Sequence, residues 1–192
     1  MPLVLEGLVT TLDAAGSMHL APMGPHVAPD FRHFQLRPFP SSQTYRNLQA
    51  HPEGVLHVTD DALLLAQAAI GRIPIMPRAI PAQSIRGYVL ADACRALEFR
   101  ASAFDASEQR VRIDCEVVHL HTLRDFFGFN RAKHAVVEAA ILATRLHLLQ
   151  SDEILTEFAR LAVLVEKTGE EREREAMALL MDYVKSAKEA RP

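Results

Sequence analysis

The chain has 192 residues, 49% of them hydrophobic, with 24 acidic and 21 basic side chains, a net charge of −3 and two cysteines. That length supports one main domain with a substantial core, while a near-neutral balance without a basic stripe excludes the electrostatics of nucleic-acid binding. Apolar runs no longer than Ala135–Leu142 exclude a membrane-spanning helix, and Cys94 and Cys115, with no CxxC pair, argue against a disulfide framework or a thiolate zinc site.

Met1–Glu6 carries no basic lead and runs directly into strand-like sequence, so neither a secretory nor a transit peptide is expected and a cytoplasmic location follows. Leu3–Leu12 and Ser17–Pro22 predict two strands joined through Asp13–Gly16, a turn whose glycine accepts a positive φ. His33–Leu36 and Val55–Thr59 are further short strands, and Asp60 or Asp61 caps a helix through Leu65 to Ile70, ended by Gly71. The prolines at 74, 77 and 81 fit neither a helix interior nor a central strand, which makes 71–87 an irregular crossing segment or an edge. Leu97, Phe99, Ala101 and Ala103 alternate with Glu98, Arg100 and Ser102, and Val111, Ile113, Cys115 and Val117 alternate with Arg112, Asp114 and Glu116. Period two on both sides of Asp105–Gln109 predicts a β-hairpin.

After Gly128 the period changes, and Ala132, Val136, Val137, Ala140, Ile141, Thr144 and Leu148 form an apolar helical face. Ser151 or Asp152 is expected to cap a helix toward Lys167, and Thr168–Glu171 has the spacing of a capping box opening a last helix to about Lys188. The charge run Glu170–Glu175 reads as a solvated helix face. Strands first and helices last predict an α+β chain: a small antiparallel β-barrel over 1–127 with a C-terminal helical layer over 128–192.

Three segments carry candidate chemistry. In His19-Leu-Ala-Pro-Met-Gly24, Ala21 and Gly24 let a flat ring such as an isoalloxazine exchange hydrogen bonds with the main chain, and Pro22, beside Met23, stiffens that stretch. His19 reads either as a half-buried strand histidine or as an acid. Ser42, Thr44 and Asn47 offer neutral donors to a phosphate at a helix start, with Arg46 able to add a charged one; the plain alternative is an ordinary N-cap at Ser41 or Ser42. Asn130, Arg131, Lys133 and His134 open the longest helix with cations where the macrodipole favours anions, so a bound phosphate or a reduced flavin would supply the missing partner. Arg131, His134, Glu138 and Arg145 share one helix face, which fits a salt-bridged solvent stripe as well. Together the segments point to a bound mononucleotide. His119 and His121 share a strand face but lack other ligands at a familiar metal spacing, and no GxSxG, Walker loop or GxGxxG is present.

On His19–Gly24, Thr44–Leu48, Val58–Asp61 and above all Gly128-Phe-Asn-Arg-Ala-Lys-His134 running on to Ala140, the chain resembles the domain of unknown function 447 family. That family is a branch of the FMN-binding split-barrel superfamily, which includes flavin reductases and pyridoxamine-phosphate-oxidase-like proteins. The resemblance runs nearly end to end. It implies a six-stranded split β-barrel, a homodimer with FMN in each interface groove, and a helical extension packed on the barrel. By position, it implies that Ala21–Gly24 line the flavin ring, that Ser42, Thr44 and Asn47 hold the phosphate, and that Arg131, Lys133 and His134 neighbour the site. It further implies an oxidoreductase passing hydride or electrons to a small acceptor, with NAD(P)H a candidate donor and a pterin link by association. A non-catalytic FMN storage or redox-responsive module, and a barrel that has lost its flavin, stand as alternative readings.

Overall fold

The computed structural model describes residues 3–189; Met1 and Pro2, part of the leader reading, lie outside the described residues. In chain order the elements are β1 (Leu3–Val4), β2 (Gly7–Leu12), β3 (Met18–Met23), β4 (His26–Val27), β5 (His33–Leu36), α1 (Gln43–Ala50), β6 (Glu53–Val58) and α2 (Ala62–Ala69). They continue with β7 (Ala79–Pro81), β8 (Tyr88–Leu90), β9 (Arg95–Asp105), β10 (Arg112–Thr122), α3 (Arg131–Ala143), α4 (Ser151–Thr168) and α5 (Glu171–Glu189). Two compact units result, one from residues 1–59 with 77–126 and one from 60–76 with 127–192.

In the first unit eight antiparallel strands join in the order β1-β4-β5-β10-β9-β6-β2-β3. That order conceals a closed wall. β1 and β2 are separated by two residues, as are β3 and β4, yet each pair is split between the two ends of the order. One register runs through all four: Leu3↔Val27 and Val4↔His26 lead, through the Leu5 N–H bond to the Pro25 carbonyl, into Gly7↔Met23 and on to Leu12↔Met18. Leu3–Leu12 and Met18–Val27 are therefore the two long, bent arms of a single hairpin. Its open end pairs β4 with β5 and its turn end pairs β2 with β6, so six ribbons close on themselves. β3 pairs β2 alone. Above the bend at Gly24-Pro25, the wall between β3 and β5 thus carries no ladder of hydrogen bonds among the described residues, which is the split of this barrel.

The long hairpin of β9 and β10 follows from the alternation noted above, and its inward set fills the barrel. Leu97, Phe99 and Ile113 are completely buried with Val9, Leu36 and Leu56, each such side chain contributing about 1.5–3 kcal/mol of transfer free energy. Phe34 meets Phe99 edge to face, ring centroids 5.1 Å apart. A Cβ at Gly54 would stand 2.7 Å from the Phe99 ring and 2.9 Å from the Thr10 carbonyl oxygen, so β6 crosses that ring only because the position has no side chain.

The outer face of β6 and β9 is covered as well. The irregular segment expected over 71–87 contains β7, which with β8 forms a separate two-stranded sheet. Residues 82–90 form a strap whose main chain is taken up by buried barrel side chains. The Thr10 hydroxyl donates to the Tyr88 carbonyl at 2.7 Å, and Glu98 accepts the Gln83 and Ser84 N–H groups at 2.6 Å each. His57 accepts the Leu90 N–H at Nε2 (3.0 Å) while Nδ1 lies 3.2 Å from the Leu8 carbonyl oxygen. Burial pushes the His57 imidazole down to about 4, so it is neutral, with Nδ1–H as the donor to Leu8.

The second unit is helical, and α2, which lies inside the span read as barrel, belongs to it. Its sequence explains the move: Ala62, Leu63 and Ala66 bury an apolar surface that needs helical partners, and they join a core built on α3, α4 and α5. Ala132, Ala135, Ala139 and Ala143 give α3 a small-residue face, and Ile154, Phe158, Leu180 and Val184 pack into the same core. Two helix starts differ from expectation. The α4 cap is Gln150 rather than Ser151 or Asp152, its N–H bonded to the Glu153 carboxylate at 3.3 Å; Ser151 is buried and Asp152 pairs with Lys188. At α5 the reciprocal bond joins the Glu170 N–H to Glu173 (3.0 Å), while the Thr168 hydroxyl turns back to the Leu164 carbonyl. Gly169 is extended (φ −97°, ψ 162°), which delays the helix and puts Glu173 at its third position. No helix of the described residues is long and apolar enough to cross a membrane.

Candidate functional site

The site grows from the start of α1. Ser42 has extended backbone and its Oγ accepts the Tyr45 N–H at 3.2 Å, so it is the N-cap. One turn on, Asn47 is 3% exposed; its Nδ2 donates to Thr11 Oγ1 at 2.9 Å and its Oδ1 accepts from Gln43 at 2.6 Å. Thr11 lies directly opposite His19 in the β2–β3 register. The fold therefore brings together two of the three candidate segments, His19–Gly24 and Ser42–Asn47. Thr11 escaped sequence reading, although two hydroxyls, Thr10 and Thr11, inside a strand buried at every position are the signal of an internal polar network.

Thr44 is 2% exposed, yet among the described residues its hydroxyl bonds to no protein group. Ser42 retains its O–H and Asn47 its second amide N–H, because each has spent only part of its capacity on the cap and on Thr11. Arg46 is held by neutral acceptors, the Ser41 carbonyl (2.6 Å) and the Gln43 amide oxygen (2.8 Å), and makes no ion pair among the described residues. His19 is half-buried: burial first, and the Arg46 charge second, hold its imidazole below the usual range against an opposing pull from Asp13.

Ala21, Pro22 and Met23 pair with Val9, Leu8 and Gly7 along one edge of β3 only. The other edge faces the split, which leaves main-chain groups of His19–Met23 open along a strand that carries a proline where an edge tolerates one. A planar guest with hydrogen-bonding edges can meet that backbone directly.

The third segment lies in the helical unit. Asn130 caps α3, its Oδ1 accepting the Ala132 and Lys133 N–H groups at 2.8 and 3.0 Å and its Nδ2 donating to the Thr168 carbonyl at 3.0 Å. Of the cations at this helix start, Lys133 is met by Glu173 at 2.8 Å. Burial raises the Glu173 carboxyl, but Lys133 and the Glu170 N–H outweigh it and hold the group below the usual range. His134 is 69% exposed, 4.0 Å from Glu138, and Arg131 is exposed with no ion pair among the described residues. Much of the most distinctive motif in the chain thus serves to join α3 to the α4–α5 junction.

His119 and His121 stack edge to face at 4.5 Å, and His121 bonds the buried Glu98 carboxylate at 2.6 Å, so this pair belongs to the network under the strap.

Residues 5–124 match the model of the N-terminal domain of a protein of unknown function (DUF447), and residues 130–182 match the second model, a protein of unknown function (DUF447). The chain belongs to the DUF447 family. Among solved structures, an FMN-bound DUF447 protein from Methanosarcina mazei is similar at 20% identity and a TM-score of 0.81, covering 95% of this chain and 96% of its own. The 2-nitrobenzoate 2-nitroreductase of Pseudomonas fluorescens aligns at 19% identity and 0.53, over 64% of this chain and 66% of its own. The styrene monooxygenase flavin reductase of Pseudomonas putida S12 aligns at 9% and 0.52, over 63% and 82%. These likenesses establish the split-barrel fold of this DUF447 chain. No curated protein matches it.

Proposed function

We propose that this DUF447 chain binds FMN and passes electrons through it to a small acceptor. The observation that carries the reading is the Thr44 hydroxyl, without a protein partner among the described residues on a side chain 2% exposed, one helical turn from Asn47, whose amide bonds Thr11 opposite His19 of β3. Phosphate needs convergent donors, and an isoalloxazine needs bare main chain; both are present in one unit. In this reading Ala21–Gly24 meet the ring, and Ser42, Thr44 and Asn47 donate to the phosphate with Arg46 nearby. The FMN-bound relative of the same family, alike over 95% of this chain, supports it. Bound FMN supplies reversible one- and two-electron chemistry; the chain supplies binding, orientation and charge.

The family resemblance adds Asn130, Arg131, Lys133 and His134 as neighbours, and of these Arg131 and His134 have side chains largely uncommitted within their own unit. It also adds a homodimer. Phe127 is 70% exposed and Phe129 fully so, an arrangement that favours a covering surface. NAD(P)H is the proposed hydride donor, with a conjugated ring compound, a pterin included, as acceptor.

Thr44→Val tests the phosphate assignment, because it keeps the shape and removes the donor. FMN affinity is expected to fall by roughly 5- to 150-fold, equivalent to about 1–3 kcal/mol, with riboflavin, which lacks the phosphate, barely affected. Equal FMN affinity in the folded variant places the phosphate elsewhere.

One observation favours a non-catalytic FMN-binding module instead: His19, the titratable group nearest the β3 edge, is held in its neutral form by burial and Arg46, which makes it a poor acid. Anaerobic NAD(P)H oxidation separates the readings. Saturable turnover above free FMN is expected of the enzyme, and a rate equal to free FMN identifies the module.

A further inference from the structure

A cavity of about 260 Å³ opens in the barrel unit where the β2–β3 turn faces the strap. Its lining includes none of the residues that the flavin reading uses. We propose that it binds a small carboxylate carrying a flat apolar body, with Arg86 as the anion-binding residue.

The walls are built for such a guest. Leu12, Pro81 and Ile85 are apolar, and Tyr88 brings a phenol. The volume equals roughly nine water molecules, room for a six-membered ring bearing one carboxylate. Arg86 is fixed by its main chain, its N–H donating to Glu53 at 2.9 Å and its carbonyl oxygen 2.9 Å from His51 Nε2. Its guanidinium makes no hydrogen bond or ion pair among the described residues. Glu53 accepts the Arg86 N–H and pairs with Arg100, not with the Arg86 guanidinium. The guanidinium lies against the bare turn at Gly16, where a Cβ would stand 3.2 Å from Nη2 and where φ is +82°. Glycine there serves both the left-handed turn and the close approach of the cation.

The strap is not a loose loop. Thr10, His57, Glu98 and Arg100 hold its main chain at Gln83, Ser84, Tyr88 and Leu90. A guest therefore meets a preformed wall and avoids the cost of ordering one. A single guanidinium beside Leu12, Pro81 and Ile85 suits the planar, singly charged carboxylate, which it can grip with two parallel bonds. A phosphate dianion would demand further donors.

The test is an NMR titration of the full chain with benzoate, read at the backbone amides of Gly16, Arg86 and Gly87, with and without saturating FMN. Saturable shifts at those amides are expected, unchanged by FMN. Arg86→Ala, an exposed substitution whose folding is checked by thermal melting, is expected to weaken benzoate by about tenfold or more, with Arg86→Lys in between. Neutral benzyl alcohol is expected to bind at least as weakly as benzoate does to Arg86→Ala. Absence of saturable shifts, or equal affinity in Arg86→Ala, overturns the site. Displacement of benzoate by FMN overturns its independence from the flavin, and tighter binding of phenyl phosphate overturns the choice of carboxylate. Because the Arg86 readout is independent of FMN, failure of the flavin reading leaves this result interpretable.

Discussion

Replacing Glu98 by Ala is expected to destabilise the barrel unit by about 3–5 kcal/mol, the range for breaking a buried, hydrogen-bonded ionic site by removing one partner. Glu98 is completely buried. Burial raises its carboxyl, yet the Gln83 N–H, His121 and the Ser84 N–H together hold it below the usual range, so the group is ionised and fully used. Alanine would strand two backbone donors and an imidazole. Glu98→Gln tests the charge separately: one oxygen still accepts, but the amide nitrogen meets a second donor, and a loss of about 2–3 kcal/mol is expected. Urea unfolding measures both. Trypsin provides a local reading, since the strap holds Arg86 and follows Arg78, and cleavage at these sites is expected to accelerate in Glu98→Ala before the barrel unfolds. A loss below about 1 kcal/mol with unchanged proteolysis would show that the strap is held by other means.

The second large effect is acid sensitivity from His57. Its native imidazole is pushed from 6.5 down to about 4, by burial first and by the neighbouring His121 charge to a smaller extent, against the opposing bond to Leu8. Between these values the unfolded chain takes up a proton that the native state refuses. Stability from this residue is therefore complete above pH 6.5, falls as pH drops toward about 4, and levels off below. At 1.36 kcal/mol per unit the loss amounts to about 3 kcal/mol. The depressed carboxylates Glu53, Glu98 and Glu173 lose stability in the same direction but at lower pH, as each is protonated through its native value. Subtracting the profile of His57→Gln from the wild type isolates the histidine. A difference that stays flat from pH 7 to 4 would mean the imidazole is charged in the native protein, with the hydrogen-bond roles revised accordingly.

Both predictions concern residues that sequence periodicity places on the wrong side. Glu98 falls on the polar phase of the β9 alternation with Arg100, and Arg100 is indeed exposed, while Glu98 is sealed beneath the strap. Period two reports which residues share a face, and it cannot report what covers that face. The same limit hid His57 and the use of His121. Local signals did better: the β9–β10 hairpin, His33–Leu36 and a helix after Gly128 follow from pattern alone, although that helix ends at Ala143, short of Thr144 and Leu148, and at 13 residues is not the longest, α4 having 18 and α5 19. Helix caps shifted by one or two positions because Gln150 and Glu170, weak N-cap formers in isolation, are placed by the chain entering the helix. Of the site, Ser42, Thr44 and Asn47 could be read from composition at a helix start, but their link to β3 runs through Thr11, a long-range hydrogen bond with no local signature. The cations at Arg131–His134 were legible as a charge anomaly, whereas the partner of Lys133 among them, Glu173, lies forty residues on and was not legible.

The single-register hairpin from Leu3 to Val27 also bears on how the barrel forms. Closing a six-stranded ribbon ordinarily requires its first and last strands to find each other across the whole chain, a search whose entropic cost grows with loop length and slows folding. Here the two strands that bridge the ends are neighbours in sequence, joined by the short turn at Asp13–Ser17. The hairpin acts as a ready-made hasp with a flank for each end of the remaining ribbon, β5 on one side and β6 on the other. Closure then becomes two docking events onto a local structure, and the slow long-range step moves to the pairing of β5 with β10, residues nearly eighty positions apart.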